Sequence, residues 1–241
     1  MKTSNILFVA AVALVLGSLA TYDAALRAEY RTGHYQNPLH NYQALGLRNF
    51  NKVTLPTASS MRVKVVAGPF AVHVNKDAAD FVHVTQRGQE LFVTLAYPKK
   101  WETLGHGETL VISCPHLTTL ATEGTYTVAG KPQLARINAG GEVEIQGFKQ
   151  DSLTLRQDQS SKIQLAGNTL GWLRASAGTR SGSEPTLTIG ANNRIGGANL
   201  AIGHRGHLDL ATAILRLRYQ FSDSATIALS GAAVRSLSTA K

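Results

Sequence analysis

Two stretches of this chain carry the same apolar skeleton 64 residues apart: SKIQLAGNTLGWL, from Ser161, and ATIALSGAAVRSL, from Ala225. Both read I-x-L-x-G-x-x-[L/V]-x-x-L, while nearly every polar residue around the skeleton differs. A duplicated catalytic motif keeps its polar residues. A duplicated structural rung keeps its apolar ones, and the glycine that turns the chain. The apolar spacing also occurs at Leu110-Ile112-Leu117-Leu120, and a partial copy runs Leu208-Leu210-Leu215. Intervals of 53 and 64 residues accommodate two or three coils of about 20 residues each, a usual length in stacked repeats.

The copies lie within a longer region of period two. Met61, Val63 and Val65 alternate with Arg62 and Lys64; Phe70, Val72 and Val74 alternate with Ala71 and His73; Leu91, Val93 and Leu95 follow. Such alternation marks strands with one buried face. Later strands, from Val143-Ile145 to Ile227-Leu229, arrive every eight to twelve residues. Few intervening segments are long enough for the helices of a βαβ fold. Short, evenly spaced strands mean a sandwich, a barrel or a β-solenoid, and the copied skeleton favours the solenoid. Asn168, Asn192, Asn193 and Asn199 are assigned to turns, because Asn tolerates the left-handed conformation of a sharp corner. Gly167, Gly178, Gly190, Gly203 and Gly231 suit the same corners.

The N-terminus differs in kind. Lys2 precedes ILFVAAVALVLGSLA, residues 6–20. Its length is that of a signal-peptide core, and Ser18 and Ala20 supply small residues for cleavage after Ala20. Alternatively the helix continues through DAALRAEYR, with Arg27 and Arg31 at a membrane interface, as an uncleaved anchor. Both readings export the rest of the chain to the periplasm or cell surface. The expected organisation is a signal peptide or membrane anchor at 1–20, a juxtamembrane linker at 21–47, and a β-solenoid domain at 48–238.

Several segments resemble the autotransporter-adhesin head family called GIN, found largely in Bacteroidetes envelope proteins. FNKVTLPTASSMRVKVVAGPFAVHV resembles that family's opening strand-turn-strand, and GQELFVTLAY its next strand. ETLVISCPHLTTLATEG resembles its L-x-V-x-x-P-x-L-x-x-L-x-x-x-G segment, here Leu110, Ile112, Pro115, Leu117, Leu120 and Gly124. DSLTLRQDQSSKIQLAGNTLGWLRASAG and DSATIALSGAAVRSL resemble its later coils. The resemblance spans residues 50–237. It implies an all-β fold, a right-handed parallel β-helix-like solenoid of short strands preceded by the N-terminal hydrophobic helix. It implies no reaction, cofactor or catalytic residue.

Net charge is +9, which favours anionic partners. The cations are scattered, without a run of five, so no nucleic-acid footprint is expected. Arg62, Lys64, Arg156, Lys162, Arg174, Arg216 and Arg218 fall on outward strand positions and are the candidate ligand-binding surface. Expected partners are anionic glycans, lipid headgroups or another envelope protein, with membrane contact through residues 6–22 if the helix is retained. The single Cys114 excludes an intramolecular disulfide and a Cys-based zinc site.

An enzyme is weighed against this binding role, because parallel β-helices include polysaccharide-active enzymes. Glu142 and Glu144 flank Val143 on one strand face, about 7 Å apart, which suits two solvated carboxylates as well as a catalytic pair. His204, His207 and Asp209 form H-x-x-H-x-D without a fourth ligand in the sequence. His73 and His83 read as solvated surface. Trp101 and Trp172 could stack on sugars, but Trp172 lies between Leu170 and Leu173, which points to packing between coils. No metal, cofactor or catalytic residue is assigned. The functional expectation is a non-catalytic, adhesin-like or structural envelope protein. The alternatives are a polysaccharide-active β-helix enzyme and a membrane-tethered sensor or partner domain.

Overall fold

The computed structural model describes residues 3–33, 36–105, 107–135 and 140–234. Lys2, and Leu237 of the second repeat copy, lie outside the described residues. The chain divides into two units, Met1–Tyr42 and Gln43–Lys241.

The first unit is built on one helix, α1 (Thr3–Thr32), which runs without interruption past Ala20. From Asn5 it is long and apolar enough to cross a membrane. The Ser18 hydroxyl donates to the Val15 carbonyl, and the Thr21 hydroxyl to those of Gly17 and Ser18. These two hydroxyls therefore need no outside partner. Asp23 and Arg27 pair at 2.9 Å one turn apart, where the helix becomes polar.

The second unit is built of β-strands, with short 3-10 turns at Ala58–Ser60, Lys76–Ala78 and Gly231–Ala233. In its first half the strands are β1 (Tyr42–Leu45), β2 (Lys52–Leu55), β3 (Arg62–Ala67), β4 (Ala71–Asn75), β5 (Val82–Arg87), β6 (Glu90–Tyr97), β7 (Leu110–Cys114), β8 (Thr119–Thr122), β9 (Thr125–Val128) and β10 (Lys131–Leu134). The second half holds β11 (Glu142–Gln146), β12 (Lys149–Gln157), β13 (Lys162–Ala166), β14 (Thr169–Ala177), β15 (Thr186–Ile189), β16 (Arg194–Ile202), β17 (His207–Leu210), β18 (Ile214–Phe221) and β19 (Thr226–Leu229). They form two large mixed sheets, both open. Sheet A has the order β1-β4-β7-β3-β11-β13-β15-β17-β19. Sheet B has the order β10-β9-β6-β2-β8-β12-β14-β16-β18, with β5 added on β6.

From β11 onward, successive strands alternate between the sheets, and each pairs in parallel with the strand after next. On sheet A the inward column runs Val143, Ile163, Leu187, Leu208, Ile227, in steps of 20, 24, 21 and 19 residues. The repeated skeleton is thereby explained. Ile163 and Leu165 point inward from β13, Gly167 turns the chain with φ 65°, and Leu170 and Leu173 point inward from β14. Leu110, Ile112, Leu117 and Leu120 do the same from β7 and the entry to β8, and all eight are buried in one core shared by both sheets. In the last copy the register holds but the cover is lost. Ile227 is 38% exposed and Val234 57%, because β19 and β18 end their sheets.

The first half is less regular. β3 is inserted between β7 and β11, so the 53-residue interval from Leu110 to Ile163 is not a run of consecutive coils. Antiparallel pairs β4–β7, β5–β6 and β9–β10 make the sheets mixed. Tyr42–Leu45, within the expected linker, is a strand.

The turn asparagines work differently from the expectation. Neither Asn168, Asn192 nor Asn193 has positive φ, and Asn199 lies in mid-strand on β16. Asn168 and Asn193 are buried and stacked. Asn168 Nδ2 donates to the Ile145 carbonyl and to Asn193 Oδ1, and Asn193 Nδ2 donates to the carbonyls of Leu165 and Gly190. Their amides satisfy backbone groups that the turn pulls out of the sheet ladders.

Two buried acids make stability pH-dependent. Burial pushes the Cys114 thiol from its ordinary 9.0 up to about 12, against a smaller opposing effect of the His116 backbone hydrogen bond. Burial, with Tyr126 and Glu102 adding, pushes the Tyr97 phenol from 10.0 up to about 12. In the unfolded chain both ionise at their ordinary values, while the fold keeps them neutral, so the folded state holds more protons. Their stabilising contribution is complete below about pH 9 and is lost as the pH rises to about 12. Melting temperature should fall over that window, and fall less steeply in a Cys114→Ala/Tyr97→Phe chain. Equal slopes would remove these groups as the cause.

Candidate functional site

In a parallel in-register stack, outward positions line up across strands at about 4.8 Å. A residue type repeated at one ladder position therefore becomes a stripe. On sheet B, one outward ladder reads Thr154, Arg174, Asn199, Arg218 across β12, β14, β16 and β18. The next reads Arg156, Ser176, Ala201, Gln220. A third reads Ser152, Trp172, Gly197, Arg216. A shallow depression of about 170 Å³ lies among Thr154, Arg156, Arg174, Ser176 and Asn199.

Gly197 sets the position of Trp172. A Cβ at Gly197 would fall 2.1 Å from the Trp172 ring, so the indole lies against the glycine of the neighbouring strand. Arg216 then sits over the ring, its Cζ 5.4 Å from the centroid, a cation–π contact. Trp172 is thus a half-buried platform on the outward face, not packing between coils. Gly197→Val should expel the indole. In a Trp101→Phe background, Trp172 emission should shift to the red and become more accessible to acrylamide. Unchanged emission would show that the ring does not depend on the glycine.

The seven candidate cations do not form one surface. Arg62 and Lys64 on β3, and Lys162 on β13, belong to sheet A; Arg156, Arg174, Arg216 and Arg218 belong to sheet B. The two sheets share a core, so these faces point away from each other. On sheet A, Arg62 and Lys64 have carboxylate partners, while Lys162, in register with Thr186, has no ion pair among the described residues. Arg62 meets Glu108 at 3.6 Å and Lys64 meets Glu144 at 3.4 Å, with Glu142 and Glu144 in register with Arg62 and Lys64. Among the described residues, the four sheet B arginines have no ion-pair partner.

The structure adds two cations that the sequence reading passed over. Lys149, Thr169 and Arg194 form a further sheet B ladder, lining a groove of about 780 Å³ with Gly171, Gly196 and Leu215. Strands β12, β14, β16 and β18 thus carry six cations and a single acid, Asp151. The signal was available in principle: Lys149 and Arg194 hold equivalent positions in their strands. Seeing it required the register.

Glu144 is engaged by Lys64, so Glu142 and Glu144 are not a pair of free carboxylates. His207 Nε2 lies 2.9 Å from Asp209 Oδ1 on β17, while His204 is in the preceding turn with φ 44°. Among the described residues, no group of three or more His, Cys, Asp or Glu side chains is arranged to hold a metal ion. His73 lies on β4 and His83 on β5, in different sheets. Asp158 accepts from the backbone of Thr179 and Arg180 and from the Thr179 and Ser183 hydroxyls, which makes it the anchor of the 178–183 loop.

No family model matches the chain, and no curated protein matches it. Solved structures do. A Bacteroides fragilis NCTC 9343 protein described as a "putative adhesin" aligns over 79% of this chain and 93% of its own, with 14% identity and a TM-score of 0.52. At that identity the likeness shows the fold. A "putative lipid binding protein" of Parabacteroides distasonis ATCC 8503 aligns over 79% of this chain and 94% of its own, at 12% identity and a TM-score of 0.40. A Parabacteroides merdae ATCC 43184 "putative adhesin" aligns over 79% and 92%, at 10% identity and a TM-score of 0.31.

Proposed function

We propose that this chain is an exported envelope protein that binds anionic glycans through the outward face of sheet B. The reading treats 1–20 as the core of a retained membrane anchor, 21–47 as its connection, and 48–238 as a right-handed parallel β-helix-like solenoid of the GIN type. Support for the solenoid comes from the alternation of β11 to β19 between two sheets with parallel pairing throughout. Support for the anchor comes from the unbroken apolar helix. The role is adhesive or structural, not catalytic.

One observation carries the ligand assignment: four arginines on one sheet face, without carboxylate partners among the described residues, beside the Trp172 indole. Guanidinium groups spaced by strand pairing suit an extended polymer bearing carboxylates, sulfates or phosphates. The Trp172 ring holds the Arg216 guanidinium in place among them through the cation–π contact. Sheet A, where carboxylates already pair with Arg62 and Lys64, is not part of the site.

The test is binding of the full chain in nanodiscs to a uronate polymer, a sulfated glycan and a phosphorylated lipopolysaccharide core at low salt. Binding to at least one, weakening as salt rises, is expected. Preference among the three identifies the anionic group. Absence of binding to all three at low salt would overturn the assignment.

A further inference from the structure

Outside α1, the exposed large apolar side chains among the described residues are Trp101, Leu134, Leu215, Tyr219, Ile227 and Val234. They fall at the two ends of the strand order. The last four belong to the end formed by β18, β19 and the residues just after it. Trp101 follows β6, and Leu134 ends β10, toward the opposite limit of sheet B. At that same limit sheet A begins with β1, through which the chain enters from α1. Only residues 33–41 separate Thr32 from Tyr42, a reach of at most about 36 Å when fully extended.

The composition of this entry end is specific. Trp101 is 59% exposed and Leu134 66%. Trp101 is seated on Tyr97, with ring centroids 6.4 Å apart, and Tyr97 packs in turn on Phe81 and Tyr126. The exposed indole therefore projects from a fixed aromatic base. Lys99 and Lys100 are exposed beside it, and Lys131 is in register with Val128, which is in register with Tyr97. The acids on adjoining segments are Glu102 and Asp80. All four residues of β10 are exposed, and Pro132 removes one of its N–H donors, which disfavours addition of another strand there.

We infer that this entry end is a second membrane contact, docking on anionic lipid headgroups with Trp101 and Leu134 at the interface and Lys99, Lys100 and Lys131 over the phosphates. An indole flanked by lysines matches the bilayer interface, where an amphipathic ring and cations are both favoured. The inference rests on the reading of α1 as a retained anchor, which keeps a bilayer within reach of this end.

The test uses the full chain carrying Trp172→Phe, so that Trp101 is the only tryptophan, in nanodiscs that contain shallow-brominated lipids. Recovery of the chain with the discs reports anchoring independently of Trp101. In anionic discs Trp101 emission should shift to the blue and be quenched by bromine, more than in zwitterionic discs. Lys99→Glu/Lys100→Glu/Lys131→Glu should restore water-like emission, since each lysine near an anionic surface contributes about a fivefold preference. Anchored chain with unquenched, water-like Trp101 in anionic discs would overturn the contact while leaving the anchor intact. Quenching that is equal in both lipids and in the glutamate variant would overturn the anionic-headgroup assignment. A chain not recovered with the discs would overturn the anchor reading and this contact with it.

Discussion

Asn193→Ala should lower the stability of the β unit by about 3–4 kcal/mol in urea unfolding, while Asn192→Ala, one residue away, should cost under about 1 kcal/mol. The contrast follows from where the two amides go. Asn193 is buried; it donates to two carbonyls and accepts from both the backbone N–H and the side-chain amide of Asn168. Removing it leaves several buried polar groups without partners, each costing about 1–3 kcal/mol, less than additively. Asn192 is exposed and accepts one bond, from the Gly167 N–H, which water can replace. Similar losses for both variants would mean that the stacked amides are not what holds these turns.

Arg174→Glu/Arg218→Glu should weaken polyanion binding by about a hundredfold at low salt, at unchanged melting temperature. The two arginines share one outward ladder, separated by Asn199, and both are exposed. Their removal leaves no buried group unsatisfied, so folding is spared. Each charge-assisted contact contributes about 1.5–3 kcal/mol where it is made, less at exposed positions, and reversal adds repulsion. The slope of log affinity against log salt should become shallower by about one for each cation lost. Arg62→Glu/Lys64→Glu, on sheet A, is the control and should leave binding within about twofold, because both cations already face carboxylates. Equal losses in the two double variants would point to net charge alone and not to the sheet B face.

Much of the architecture was readable from the chain. Period two identified the strands, and the skeleton at Ile163 and Ile227 marked residues that share a column of one sheet. A turn glycine in each copy separated one sheet's strand from the next. Three features were not readable. The insertion of β3 between β7 and β11 joins residues distant in sequence, and no local pattern encodes that partner choice. The role of Asn168 and Asn193 depends on which carbonyls the turns orphan. The exposure of Ile227 depends on there being no described strand beyond β19, although its sequence environment copies that of buried Ile163.

The candidate surface divides along the same line. Alternation alone places Arg156, Arg174, Arg216 and Arg218 on outward positions, because side chains of a strand alternate faces whatever the strand pairs with. It places Arg62, Lys64 and Lys162 outward equally well. Which cations share a face, and which meet a carboxylate, is decided by sheet membership and register, properties of the strand pairing. The sequence by itself determined that this is a β protein with an apolar N-terminal helix and a basic exterior. Only the tertiary structure decided that the unpaired arginines gather with Trp172 on sheet B, since Gly197 of one strand makes room for the indole of another.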